Sequence, residues 1–173
     1  FELELANLEY HILDKEELIE RSAFFQSVNG NLTKHFRLYS VNTTALSENR
    51  SAQTRNYFEN GQFSTGYATH GLFPYRGKFH PQLIKGLLNI IGIKKNDVVL
   101  DPMCGSGTAN IEAALMGINS YAVDQSPFCQ LMVKAKFEAL TIDVDLLKGL
   151  SLQAKKLYNF FDVKDVSAQL EKI

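Results

Sequence analysis

An aspartate followed by a glycine-rich turn is the feature of this chain best suited to bind a small polar ligand. The apolar residues 98–100 lead into Asp101 and Pro102, and a turn containing Gly105 and Gly107 comes next. Glycine has no Cβ, so the backbone of such a turn can approach a ligand closely. A helix predicted directly after the turn would point its free N–H groups at the same place. The pattern indicates a nucleotide-type cofactor site at the end of a strand.

A second acid narrows the class of ligand. Asp124 ends the next predicted strand, where a carboxylate can accept hydrogen bonds from both hydroxyls of a ribose. Asp101 suits an ammonium group better than a pyrophosphate, because like charges repel. The dinucleotide pattern G-x-G-x-x-G is incomplete, since position 110 is Asn, and the phosphate-binding pattern G-x-x-x-x-G-K-[ST] is absent. A nucleoside that carries an amino acid fits these residues, and S-adenosylmethionine is such a molecule.

Plainer interpretations of the same residues stay open. The turn could join a strand to a helix without binding anything, and an acid such as Asp124 is common at strand ends. We interpret Cys104 as a small lining residue rather than a nucleophile. The apolar stripe within residues 83–91 is interpreted as core, and His70 and His80 as turn or cap residues rather than catalysts.

Composition limits the functional classes. The 173 residues are 45% hydrophobic, which predicts one domain with a full core, and the net charge of −1 lacks the basic excess typical of nucleic-acid binding. A local basic patch, for example with Arg50, Arg55 or Arg76, stays open. The two cysteines lack metal-ligand spacing, which predicts reduced thiols, no metal and a cytoplasmic protein. No signal peptide or membrane span is expected.

Hydrophobic periodicity indicates the elements that position these residues. The alternation in residues 1–5 predicts a short strand, and Asp14 with Glu17 predicts a capped helix that reaches about Phe25. Residues 27–72 lack a sustained period and are predicted to be loops with one or two short elements.

The second half of the chain alternates helices with strands. The predicted order is helix 81–91, strand 98–100 (a central strand), helix 106–116, strand 120–123, helix 127–140, a helical stripe over 146–161 and a short helix near Val166. This order predicts the α/β fold class, with a Rossmann-like, doubly wound, mostly parallel sheet that is incomplete in this chain. Ligands of such sheets bind at the carboxyl ends of the strands.

Three segments carry a resemblance to a known family. Residues 100–108, Leu-Asp-Pro-Met-Cys-Gly-Ser-Gly-Thr, resemble the cofactor motif of S-adenosylmethionine-dependent methyltransferases that modify exocyclic amino groups of nucleic-acid bases. Residues 70–82 resemble the segment before that motif in DNA amino-methyltransferases of the adenine N-6 or cytosine N-4 type. Residues 121–128 resemble their next motif. The resemblance covers about residues 68–140, and we expect an N-terminal extension over 1–67 and a cofactor-binding half over 68–173.

The resemblance also implies a set of cofactor-binding residues. Asp101 and the backbone of residues 103–107 would hold the amino acid part, Asp124 the ribose, and Gln125 would lie near the adenine. The methionine part would lie beside Lys78 and Phe79, although plain core packing is an alternative role for Phe79. The complete predicted set is Lys78, Phe79, Asp101, Pro102, Met103, Cys104, Gly105, Gly107, Thr108, Asp124 and Gln125.

One family motif is missing from the chain. These enzymes place Asp, Asn or Ser before Pro-Pro and an aromatic residue, which together accept the N–H groups of the target amine and stack on the flipped base. The four prolines here include no adjacent pair. We therefore expect no catalytic residue in this chain, a fragment inactive by itself, and a catalytic motif supplied by the remainder of the enzyme or a second subunit.

The predicted partner is DNA, and two alternatives stay open. Transfer-RNA guanine methyltransferases have a similar Asp-Pro and Cys-Gly-Ser-Gly-Thr turn, and the helix over residues 111–117 also resembles theirs. The other alternative is a non-catalytic, methyltransferase-like subunit.

Overall fold

The structure, a computed structural model, describes residues 1–39, 66–143, 145–146 and 149. By its internal contacts the chain divides into Phe1–Leu140 and Thr141–Ile173. The described elements, in chain order, are α1 Glu2–Ile12, α2 Lys15–Arg21, β1 Ser27–Val28, β2 Asn31–Leu32, α3 Lys34–Tyr39, α4 Pro81–Ile90, β3 Val98–Asp101, α5 Thr108–Leu115, β4 Asn119–Ala122 and α6 Pro127–Thr141.

The N-terminal segment is a helix, so the strand predicted over residues 1–5 is wrong. Leu5 and Glu9 lie one turn apart and face the interior, and Leu13 continues the same face. Burial of one helical face stabilises α1 more than the alternation of residues 1–5 would stabilise a short strand. The capping box of α2 is confirmed: the Glu17 amide donates to Asp14 Oδ1 at 2.8 Å, and the Asp14 amide donates to Glu17 Oε2 at 3.2 Å. The helix ends at Arg21, short of Phe25.

Helix α4 begins at Pro81 as predicted, but its buried face differs from the predicted apolar stripe. Leu87 and Ile91 are 42% and 66% exposed, whereas Lys85 and Asn89 are buried. Asn89 Nδ2 donates to the Glu9 carboxylate at 2.6 Å, so polar contacts dock this helix on α1. The interpretation of the whole stripe as core is therefore wrong, because periodicity does not reveal a buried polar partner.

Strands β3 and β4 are parallel neighbours, with α5 as the crossover between them. Val98 pairs with Asn119, and Asp101 pairs with Ala122. The helix–strand alternation and the α/β class are thus confirmed, whereas a doubly wound sheet stays a prediction. The expectation of a buried central strand is not met: Val98 and Leu100 are 53% and 62% exposed, because among the described residues β3 pairs with β4 alone.

Some predicted elements lie outside the described residues. The predicted loops over 27–72 contain the hairpin β1–β2 and the short helix α3, and residues 40–65 are outside the described part. Most of the stripe over 146–161 and the helix near Val166 are outside it as well. Within the described part, no helix combines the length and apolar character needed to cross a membrane.

Candidate functional site

The turn between β3 and α5 has a backbone that only glycine accommodates well. Gly105 and Gly107 have φ values of +50° and +75°, in the left-handed region that L side chains rarely adopt. The Gly107 amide donates to the Cys104 carbonyl at 2.7 Å and so closes the turn. A Cβ atom on Gly107 would lie 2.6 Å from Val133 Cγ2. The glycine spacing thus serves both the shape of the turn and its close packing on α6.

Backbone hydrogen bonds join the carboxyl ends of the two strands. The Cys104 amide donates to the Val123 carbonyl at 3.0 Å, and the Val123 amide donates to the Asp101 carbonyl at 2.9 Å. The Asp124 carboxylate extends this connection, because Oδ2 accepts from the Gly105 amide at 2.9 Å. The glycine turn and the acid that follows β4 therefore form one connected rim.

The Asp124 carboxylate is held in its ionised form by its donors. Its Oδ1 accepts from the Ser126 amide at 2.9 Å. The backbone hydrogen bonds from Ser126 and Gly105 lower the pKa of Asp124. Each carboxylate oxygen has more than one acceptor site, so both oxygens can still accept hydrogen bonds from a ligand.

A cavity of about 260 Å³ opens beside this rim. Eight of the eleven predicted site residues line it: Lys78, Phe79, Asp101, Met103, Cys104, Gly105, Thr108 and Asp124. The other three do not line it, since Pro102 and Gln125 are exposed outside it and Gly107 is buried at the start of α5. The lining also includes Tyr75 and Gly77, which sequence reasoning missed, and Ser106, which falls within the predicted backbone range 103–107.

The charges in the cavity lining are of both signs. Asp101 and Asp124 contribute carboxylates, and Lys78 contributes an ammonium whose pKa is lowered by burial. Lys78 Nζ donates to the His70 carbonyl at 3.4 Å, which places this cation at the wall made by the segment before α4. A ligand that carries both an amine and a carboxylate would find opposite charges here for each group.

The thiol of Cys104 is unsuited to nucleophilic chemistry. Burial, and next the carboxylates of Asp124 and Asp101, raise the pKa of Cys104 to about 11. The group is therefore a protonated thiol at neutral pH, whereas the reactive form is the thiolate. Its place in the lining is that of a small side chain. Tyr75 packs against the same turn, since a Cβ on Gly105 would lie 3.3 Å from its ring. A hydrogen bond with Cys129 raises the pKa of Tyr75.

Comparison with known proteins gives a family for this site. A family model described as RMKL-like, methyltransferase domain, matches residues 72–159, slightly over half of the chain. The chain belongs to this family. The match includes the glycine turn, both aspartates and the entire cavity lining, so the predicted methyltransferase family is confirmed.

The curated relatives of the RMKL-like chain include two kinds of methyltransferase, named as type II methyltransferases and as tRNA (guanine(10)-N2)-dimethyltransferases. The type II methyltransferase M.MjaII of Methanocaldococcus jannaschii is 35% identical over 109 residues, 60% of this chain and 20% of that protein. The type II methyltransferase M.BsoBI of Geobacillus stearothermophilus is 32% identical over 75 residues, 43% of this chain and 15% of that protein. A tRNA (guanine(10)-N2)-dimethyltransferase of Methanothermobacter thermautotrophicus is 42% identical over 52 residues, 30% of this chain and 16% of that protein.

The chain thus spans a fifth or less of the length of these three relatives. No solved structure matches it.

A buried lysine beneath the turn of the RMKL-like chain was missed by sequence reasoning. Lys136 of α6 is fully buried, and its Nζ donates to the Ser106 carbonyl at 2.8 Å. Burial, and next the charge of Lys78, lower the pKa of Lys136. Lys136 lies at helical spacing from the buried residues Cys129, Met132 and Val133, whereas Lys134 lies off that face. This spacing was the signal in the sequence, and it was missed because lysine is rarely fully buried. Among the described residues no group of three His, Cys, Asp or Glu side chains could hold a metal ion.

Proposed function

We propose that this chain binds S-adenosylmethionine and supplies the cofactor part of a methyltransferase that acts on an exocyclic amino group of adenine or cytosine in DNA. The observation that supports this most is the cavity at the carboxyl ends of two adjacent parallel strands. Asp101, the glycine turn and Asp124 meet there. Ligands of parallel α/β sheets bind at such strand ends, and the family match gives methyltransferase chemistry.

The lining residues fit the chemical groups of this cofactor. Asp101 would accept the N–H groups of the amino acid ammonium, and Lys78 would face its carboxylate. Asp124 would hold the ribose, and Gln125, outside the cavity, would lie near the adenine. At about 260 Å³ the cavity is slightly smaller than the roughly 300–1,000 Å³ of small-molecule sites, so the nucleoside would extend beyond it past Asp124. When bound, S-adenosylmethionine supplies an electrophilic methyl group.

The choice of DNA is supported by the extent of the similarity. The relative M.MjaII, named a type II methyltransferase, aligns over 109 residues of this chain. The second candidate substrate is tRNA. It is favoured by the 42% identity over 52 residues to a tRNA (guanine(10)-N2)-dimethyltransferase. For either substrate we infer that residues 68–173 form the cofactor-binding half, that residues 1–67 extend it, and that the rest of the enzyme or a second subunit supplies the catalytic motif.

Binding and transfer can be tested separately on the chain itself. Because the sequence has no adjacent prolines, we expect the 173-residue chain to bind S-adenosylmethionine in a calorimetric titration but to transfer no labelled methyl group to DNA or tRNA. The protein encoded by the gene with its flanking sequence is expected to methylate DNA in the same assay. Failure of the chain to bind the cofactor would contradict the proposed site, and transfer by the chain alone would contradict the missing catalytic motif. Methylation of tRNA instead of DNA would favour the second candidate.

Replacing Asp124 by alanine is expected to weaken S-adenosylmethionine binding by roughly tenfold or more, because the ribose hydroxyls and the Gly105 amide lose their acceptor. Calorimetry measures this change. The matched control is Asp97→Ala, since Asp97 also accepts a backbone hydrogen bond in an exposed turn, from the Lys94 amide at 2.7 Å, but does not line the cavity. Equal affinities of the wild-type and Asp124→Ala proteins would remove Asp124 from the site.

A further inference from the structure

The buried carboxylate of Glu112 on α5 contacts Tyr67 and His70, two residues that come shortly before the cavity-lining residues 75 and 77–79 in the chain. Glu112 is fully buried, and its Oε1 accepts a hydrogen bond from the Tyr67 hydroxyl. The same oxygen lies 2.8 Å from Nε2 of His70, which is also fully buried. An ionised carboxylate is an acceptor only, so when Glu112 is ionised the donor in this contact is His70 Nε2. Neither Glu112 nor its two partners lines the cavity.

Burial of a charged group is costly unless an opposite charge compensates it. Lys85 of α4 is a buried cation close to this group, since its Nζ lies 3.4 Å from Nδ1 of His35, whose ring packs edge-on against the Tyr67 ring. Burial lowers the pKa of Lys85, while the carboxylates of Glu112 and Glu9 oppose the change. An apolar core would avoid this cost, which makes the polar cluster of Tyr67, His70 and Glu112 a candidate for a role beyond packing.

The cluster connects the segment before α4 to helix α5, and both of these contribute residues to the cavity lining. Residues 66–80 consist of turns, bends and irregular backbone rather than helix or strand. Backbone bonds within their first part, from His70 N–H to the Tyr67 carbonyl at 3.1 Å and from Leu72 N–H to the Thr69 carbonyl at 3.1 Å, are local. This segment ends in the cavity-lining residues 75 and 77–79. On the other side, Glu112 lies one helical turn after Thr108, which lines the cavity at the start of α5.

We propose that Glu112, through His70 and Tyr67, positions the wall of residues 75–79 against the glycine turn and thereby determines how tightly the methionine part of the cofactor binds. The inference rests on the proposed function, since it takes the bound molecule to be S-adenosylmethionine. The Lys78 side chain links the wall of residues 75–79 directly to His70, because its Nζ donates to the His70 carbonyl at 3.4 Å. Glu112, His70 and Tyr67 act as positioning residues and touch no substrate.

The test compares two ligands on two variants of one residue. In His70→Leu the donor to Glu112 is removed, and we expect S-adenosylmethionine to bind roughly tenfold more weakly, while 5′-methylthioadenosine, which lacks the amino acid part, changes by no more than about twofold. In His70→Gln an amide N–H replaces the lost donor, and we expect affinity near that of the wild type. Calorimetry gives both affinities, and thermal unfolding checks that each variant is folded. His80→Leu is the matched control, because His80 is exposed and makes no side-chain cap bond.

Each outcome decides between support and contradiction. A folded His70→Leu protein that binds S-adenosylmethionine like the wild type, or that loses both ligands equally, would overturn the positioning role. If His70→Leu does not fold, Tyr67→Phe removes the other donor to Glu112 while the ring is retained, and the same selective loss is expected of it. A wild-type chain that binds neither ligand would contradict the proposed function itself, which is a different result from a wild type that binds and a variant that is unaffected.

Discussion

Replacing Gly107 by alanine is expected to abolish measurable cofactor binding and to lower the free energy of unfolding by about 2–5 kcal/mol. Two physical effects add at this position. The φ of +75° is unfavourable for any residue with a Cβ, and the new methyl group would lie 2.6 Å from Val133 Cγ2. Relief of the clash requires the turn to move away from α6, and the Gly105 amide would then leave Asp124. Urea unfolding and calorimetric titration measure the two effects.

The matched control for this prediction is Gly92→Ala. Gly92 has nearly the same φ, +77°, but nothing lies within 4 Å of a Cβ built there. This variant has the conformational strain alone, about 1–2 kcal/mol, and is expected to bind the cofactor normally. A Gly107→Ala protein with wild-type affinity would show that the turn does not form the binding surface. Equal destabilisation of both variants would show that the contact with Val133 is unimportant.

Replacing Lys136 by methionine is expected to weaken cofactor binding by roughly tenfold, because the Ser106 carbonyl loses the ammonium that fixes it. Methionine keeps the length and apolar character of the buried stem. The free energy of unfolding is expected to change little, since the lost hydrogen bond is offset by removal of a buried charge whose pKa burial lowers. Binding and stability thus separate in this variant, which calorimetry and urea unfolding will show.

Lys134→Met on the same helix is the control for Lys136→Met. Lys134 is exposed and forms a surface ion pair, its Nζ lying 3.8 Å from Glu138 Oε1. It is expected to leave both affinity and stability near the wild-type values. If Lys136→Met bound the cofactor as well as Lys134→Met does, the buried ammonium would have no part in shaping the turn.

The elements around the cavity could be predicted from the sequence because their signals are local. Pro81 at the start of α4, the apolar residues of β3 and the glycines of the turn each act through backbone preferences of a few neighbouring residues. The order of these elements placed Asp101 and Asp124 at the same edge of the sheet, and the structure brings both into one cavity.

The buried polar contacts could not be predicted, because their partners are far apart in the chain. Asn89 and Glu9 are separated by 80 residues, and His70 and Glu112 by 42. Nothing in α4 distinguishes Lys85, which is buried, from a lysine on a solvent-facing surface. The short strand predicted over residues 1–5 failed for a related reason, since five residues of alternation do not indicate which face a longer helix buries.

The bonds that join the ends of β3 and β4 also bear on the rate of cofactor binding. The Asp124 carboxylate holds the Gly105 amide at 2.9 Å, so contacts within the protein itself fix the shape of this part of the rim. A preformed site spends little free energy on ordering loops during association, and most of the contact energy remains as affinity. We therefore expect association in a single phase whose rate rises linearly with cofactor concentration, and stopped-flow fluorescence can measure this dependence.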